Sequence, residues 1–375
     1  MKKLRLLLIL VLSFSLLATA CGKSDTNDNG DSEDQSQTPN IIVDDAEPTV
    51  TEEAPTPTEE PVEEETREGY IRSDLTHEWI DESLADMRPL AVMVPNNKTA
   101  LPQYNISNAG VIYECLAEGK ISRLLCIWDD WHDLERIGNI RSARAYYVYW
   151  ALEWDPIYCH FGNVFYADPI MNIDACDNID GNRSPYGYFR VSNEGRIHEQ
   201  TAYGNGQDLI RACEYYNYSL THTEYYTPRH WQFTDNDDLS GYSDVMDCTR
   251  IDCRSAFPDD KPYFEYNEED GLYYRFEFGE AHMDAATGTQ LAFKNILIQY
   301  CDYNVLDQYD HLEYAINSTN QGYYITNGQA IPVTWRKDGD LAPTRFYDSN
   351  GNEIYLNTGK TMVCVVGLPA SVTLE

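Results

Sequence analysis

The chain predicts an α+β protein: an N-terminal mixed α/β domain followed by a mostly β C-terminal domain. Three observations carry this. The 305 residues after position 70 hold enough Tyr, Trp, Ile, Leu and Val to fill two cores. Between Arg88 and Tyr216, short apolar runs alternate with two segments of helical length and pattern. From about residue 236 the pattern changes to short strands broken by turns.

The first element, residues 1–20, is a lipoprotein signal peptide. Met1 to Arg5 is basic, Leu6 to Ala20 is apolar, and Ala18-Thr19-Ala20 brings small residues up to Cys21. An apolar run of 15 residues falls short of the ~20 that a helix needs to span a bilayer, so it reads as a removable export signal. Cleavage before Cys21 would leave that residue to carry an acyl chain such as palmitate. The chain is then expected on the extracytoplasmic face of the cell membrane, held by lipid at Cys21.

Residues 21–75 read as a disordered, acidic, Pro/Thr-rich tether. Between 21 and 70 there are 16 acidic and two basic side chains, with five prolines from Thr38 to Pro61. Ordering such a segment would lose backbone entropy without burying apolar surface. Extended at ~3.1 Å per residue, about 50 residues reach at most ~150 Å, enough to enter a cell wall. Residues 71–375 still carry −24 of the chain's net −35. That sign argues against nucleic acid, whose binding rests on Lys and Arg neutralising phosphate. It also argues against adsorption to anionic headgroups, leaving the lipid as the membrane contact.

The N-terminal domain is expected over 76–235. Pro89 to Val94, Gly110 to Glu118, Ile121 to Trp128 and Ile157 to Phe161 read as strands, the middle two as a hairpin turning at Gly119-Lys120. Helices are predicted from Ala143 to Trp154, with Ser142 as N-cap and Asp155-Pro156 as stop, and from Gly206 to Tyr216. The C-terminal domain, 236–375, reads as eight short strands, with Asn350-Gly351 the strongest hairpin signal. Nine cysteines follow Cys21, an odd number, so at least one is unpaired. Cys248 and Cys253 are the one pair placed for a disulfide.

Candidate chemistry gathers in the N-terminal domain. Arg141-Ser142-Ala143-Arg144 lies at a predicted helix start, where free N–H groups and the helix dipole favour an anion. Two guanidinium groups could add bidentate bonds to phosphate or carboxylate. The alternative is that they make structural ion pairs with Glu114, Glu118 or Asp168. On a single strand Glu114 and Glu118 would lie ~13 Å apart on one face, too far for a glycosidase pair. His160 ends a strand beside Gly162 and could act as a base or ligand. Arg123 joins these as a candidate. The oxygen-rich loops 174–182 and 235–238 lack EF-hand spacing, so neither a metal nor a cofactor is expected. His282-Met283-Asp284 places two polar groups on one face, read as a turn-stabilising pair.

Several of these stretches together resemble YerB-like bacterial lipoproteins, a family of unknown function in Gram-positive bacteria. They are Arg88 to Val94, Tyr113-Glu114, Glu118-Gly119, Arg123, Ile137 to Arg144 and His160 to Gly162. In the C-terminal part they are His282 to Asp284, Thr334 to Lys337, Pro343 to Asp348, Asn350 to Ile354 and Asn357 to Thr361. The family usually carries Pro where this chain has Asn139. The resemblance implies no activity. The sequence therefore supports an anchored envelope protein that binds an anionic wall polymer or an envelope partner. Arg123, Arg141, Ser142, Arg144, Glu114, Glu118 and His160 would line a groove between the domains. A wall hydrolase or transferase using His160 with Glu114 or Glu118 as acid and base is the alternative.

Overall fold

Leu90–Pro95, Val111–Leu116 and Ser122–Trp128 are mostly apolar and buried on both faces, as strands covered on both sides must be. They form the middle of an eleven-stranded sheet in a computed structural model that describes residues 66–192, 194–235 and 237–375. The signal peptide, Cys21 and most of the tether lie outside the described residues. Among those described, no helix is long and apolar enough to cross a membrane.

The architecture is α+β, as the sequence predicts, and the two halves share this sheet. On the N-terminal side, Val111–Leu116 and Leu90–Pro95 flank Ser122–Trp128 antiparallel. Ile157–His160 and Asn178–Asp180 extend the sheet in parallel. On the C-terminal side, Asn295–Cys301, Thr319–Thr326 and Gln329–Arg336 form an antiparallel run. Thr361–Gly367 joins the two sides, pairing in parallel with both Asn295–Cys301 and Val111–Leu116.

Strand alternation sorts the core onto two faces. Ala91, Met93, Tyr113, Leu125, Leu297 and Val363 pack beneath the helix Ala145–Leu152. Val92, Ile112, Leu124, Cys126, Ile298 and Met362 face the other way. They meet the helix Gly206–Tyr216 and a six-stranded antiparallel sheet that contains Tyr263–Asn267 and Leu272–Glu277. Asn205 caps that second helix by accepting the Asp208 N–H at 3.1 Å. At the predicted hairpin, Gly351 has φ +83° and Tyr347 bridges to Glu353. The Gly138–Asn139 peptide is cis.

Three local expectations are corrected. The strand from Val111 ends at Leu116, so Glu118 sits in a 3-10 turn with Gly119 and Lys120 at positive φ. The first helix begins at Ala145, so Ser142 is not its cap; the Ser142 hydroxyl donates to the Phe161 carbonyl at 3.0 Å. Cys248 and Cys253 form no disulfide. All nine described cysteines are buried free thiols, and burial pushes most of them up, which leaves them acting as small hydrophobes. Cys253 meets Cys364 rather than Cys248.

Candidate functional site

The pairing register splits the seven candidate residues. Glu114 lies opposite Leu124, and Cys115 opposite Arg123. Glu114 therefore points to the face of the six-stranded sheet, and Arg123 to the face of the first helix. Side chains on opposite faces of one sheet cannot line one groove.

On the helix face, two arginines hold one carboxylate, and Arg141 lies within electrostatic reach of Arg123. Arg144 Nε donates to Glu118 Oε2 at 2.8 Å, its Nη2 to Oε1, and Arg123 Nη2 reaches Oε1 at 3.3 Å. Arg123 also donates to the Ser142 carbonyl, and Arg144 to the Ala143 carbonyl at 2.7 Å. Burial pulls both arginines below their ordinary pKa. Arg141 is held by its backbone alone, through its N–H to the Met93 carbonyl and its carbonyl to the Phe161 N–H. Its half-buried side chain has no hydrogen-bond or ion-pair partner among the described residues. Burial and the charge of Arg123 both lower its pKa, with Glu199 opposing. With Glu199 counted, the three guanidinium groups stand against two carboxylates.

Arg144 also lines one end of a groove of about 600 Å³ between the first helix and the hairpin Tyr303–Val305/Leu312–Tyr314. Tyr146, Tyr149, Tyr166, His311 and Tyr314 share its wall. Tyrosine faces beside a guanidinium give a surface that can take an apolar ring and an anion together.

His160 is on the helix face too, but both its nitrogens are engaged. Nδ1 lies 2.9 Å from the Gly162 carbonyl and Nε2 3.1 Å from Asn178 Oδ1, and the ring stacks near Tyr158. It touches neither Glu114 nor Glu118. The acid and base of the hydrolase alternative are not brought together.

Glu114 belongs to a second, sealed group. Arg275, wholly buried, places Nη2 2.9 Å from both Glu114 oxygens and 3.3 Å from Asp260. Its Nη1 donates to Glu277 Oε2 at 2.6 Å and meets His282 Nδ1. Asn96 donates to Glu114 at 2.8 Å and to Asp260 at 3.1 Å, and Ser122 donates to Glu114 at 2.7 Å. Three carboxyl groups thus surround one guanidinium. Burial and the Glu114 charge push Asp260 well up, and burial pushes Glu277 to about 7. Burial and Arg275 push His282 well down, so it stays neutral. For Arg275 itself, burial acts downward, but Glu114, Glu277 and Asp260 outweigh it and hold the group well above its ordinary value.

Of this group, sequence reasoning found only Glu114 and the His282 segment. Asp284 does stabilise a turn, accepting the Ala286 N–H at 2.8 Å, and it also binds the Ser107 N–H and hydroxyl across the fold. Arg275 and Glu277 were hidden by alternation. In Leu272–Glu277 they share a face with Tyr273, and that face is the buried one.

The fold and site define a class: an α+β protein whose two halves complete one sheet, with an arginine-rich patch on one face and a buried ionic group on the other. The family described as "Protein of unknown function (DUF3048) N-terminal domain" matches residues 75–219, and its C-terminal domain matches 253–363. The chain belongs to this YerB-like family. It is 25% identical over 297 residues to "Putative lipoprotein YerB" of Bacillus subtilis (strain 168), covering 79% of this chain and 86% of that one. It is also similar to the crystal structure of YerB protein from Bacillus subtilis, with a TM-score of 0.69 at 25% identity, over 81% of this chain and 99% of that chain.

Proposed function

We propose that this is a lipid-anchored extracytoplasmic protein that binds an anionic component of the cell envelope through Arg141, with Arg123 and Arg144 behind it. The name of the Bacillus relative and the signal-like start ending at Cys21 support the anchor. The observation that carries the binding reading is the charge excess: Arg123, Arg141 and Arg144 stand against Glu118 and Glu199, and Arg141 makes no hydrogen bond or ion pair among the described residues. In a chain of net −35, such a local excess of positive charge is a specific feature rather than a general coat. The 600 Å³ groove beside Arg144 gives the rest of an anionic polymer a place to lie.

The test is co-sedimentation of the purified protein with isolated cell wall. Binding should fall as salt rises, because charge contacts are screened. Arg141→Ala should weaken binding about tenfold, the worth of ~1.4 kcal/mol. Salt-insensitive binding, or binding that survives Arg141→Ala unchanged, overturns the reading.

A further inference from the structure

A second groove, of about 600 Å³, is lined by the N-terminal hairpin Tyr70–Arg72/Trp79–Asp81 and by residues of the paired strands Gln232–Thr234 and Tyr355–Asn357. Its volume falls in the ~300–1,000 Å³ range of small-ligand clefts. Aromatic rings make up much of its wall. Tyr70 and Tyr355 are 42% and 47% exposed, so both offer ring surface to a ligand. Trp79 is half-buried, and Phe233 stacks with the His77 ring at 5.3 Å between centroids.

Three guanidinium groups share this wall. Arg67 lies over the Tyr70 ring, 4.0 Å from its centroid, and Arg72 over Trp79 at 4.1 Å. Attraction to a ring face uses none of the N–H donors. Arg72 is partly engaged, donating to the His77 carbonyl at 3.0 Å and meeting Asp235 at 3.6 Å. The side chains of Arg67 and Arg229 make no hydrogen bond or ion pair among the described residues. The acid on the wall, Asp74, accepts the Tyr226 hydroxyl. With Asp235 counted, three cations stand against two anions, in a chain of net −35. Arg229 and His77 both hold a φ of +58°. That conformation is unfavourable for a residue with a Cβ, and the fold imposes it twice on this wall.

A sugar ring has an apolar C–H face that packs on an aromatic ring, and hydroxyls that pair with polar side chains around it. A carboxylate on that sugar matches a guanidinium in charge and in geometry. We propose that this groove binds an acidic sugar. Its ring lies against Tyr355 and Tyr70, and its carboxylate meets Arg229, which has neither a ring beneath it nor an ion pair. Arg67 and Arg72, steadied by their rings, donate to the sugar oxygens. The groove shares no lining residue with the one beside Arg144, so the site does not rest on Arg141.

The test is isothermal titration calorimetry of the purified full chain with sodium digalacturonate, maltose, inorganic phosphate and pentaglutamate. Digalacturonate should bind, and the other three should bind at least about tenfold more weakly. Arg229→Gly, which suits the positive φ, and Tyr355→Ala should each weaken digalacturonate binding about tenfold, while Arg141→Ala leaves it unchanged. Absence of digalacturonate binding overturns the proposal. So does equal binding of maltose, which would remove the role of charge, or of phosphate or pentaglutamate, which would make this a general anion or acidic-peptide site. Full affinity in both the Arg229 and Tyr355 variants, or lost affinity in Arg141→Ala, also overturns it. The four-ligand comparison is read on the unmodified chain, so it stands even if a variant misfolds.

Discussion

Two arginine–carboxylate groups in this chain have opposite stoichiometry. Around Arg275, three carboxyl groups share one guanidinium, all of it buried. Around Glu118, two largely buried guanidinium groups, Arg123 and Arg144, share one partly exposed carboxylate. The difference teaches how each place handles excess charge. A sealed group cannot call on solvent, so it keeps protons on Glu277 and Asp260 and leaves His282 neutral. An open group can keep its charge, because water or an anion can meet it.

The comparison breaks most sharply at Arg275. Arg275→Met should cost about 3–5 kcal/mol of stability, measured by urea unfolding, since it strands Glu114 without its cation. Arg275→Lys should recover little, because an ammonium cannot reproduce the guanidinium's contacts with Glu114, Asp260 and Glu277. A loss under 1 kcal/mol would show that the sealed group is not a single ionic unit.

Next in size is a pH effect. Glu277 has a folded pKa of about 7, above its unfolded value. Between those values the folded state holds a proton that the unfolded state lacks. Stability from this group is therefore full below about pH 4.3, falls as pH rises to about 7, and is flat beyond. The slope is at most about 1.4 kcal/mol per pH unit for one group. Glu277→Gln, which mimics the protonated acid, should flatten unfolding curves across that window. An unchanged slope would refute the protonated state.

The open group should respond less. Arg144→Ala should lower stability by about 1–2 kcal/mol, through loss of the Glu118 clamp and the Ala143 carbonyl contact. Glu118→Gln should change stability by less than about 1 kcal/mol, yet raise affinity for an anionic polymer, because it removes the carboxylate that Arg123 and Arg144 hold. Arg141→Ala should leave stability within about 0.5 kcal/mol while weakening anion binding. That split between stability and binding is the sharpest contrast with Arg275.

The contrast also marks what the sequence could reveal. Unbroken apolar runs such as Leu90–Pro95 and Thr361–Gly367 announced buried strands, and Asn350-Gly351 announced its hairpin. The Arg141 to Arg144 segment stood out because paired arginines are unusual in so acidic a chain. Which face each candidate takes depends on register, and register followed from where the Val111–Leu116 strand ends. Glu118 fell off that strand into the turn, so the expected spacing from Glu114 did not apply. Arg275, Asp260 and Glu277 were illegible for a different reason. Polar alternation on Leu272–Glu277 reads as a solvent face, and only the packing of the second sheet onto Glu114 makes it an interior one.

Thr361–Gly367 is the central seam of the large sheet, yet in chain order it follows every other strand of that sheet. As the polypeptide emerges, the edges of Val111–Leu116 and Asn295–Cys301 must wait for that late strand to slot between them. Their open backbone groups are sites for wrong pairing until it arrives. A premature stop before residue 361 would therefore damage the first half of the protein as well as the second, because neither half of the sheet is whole until this strand is made.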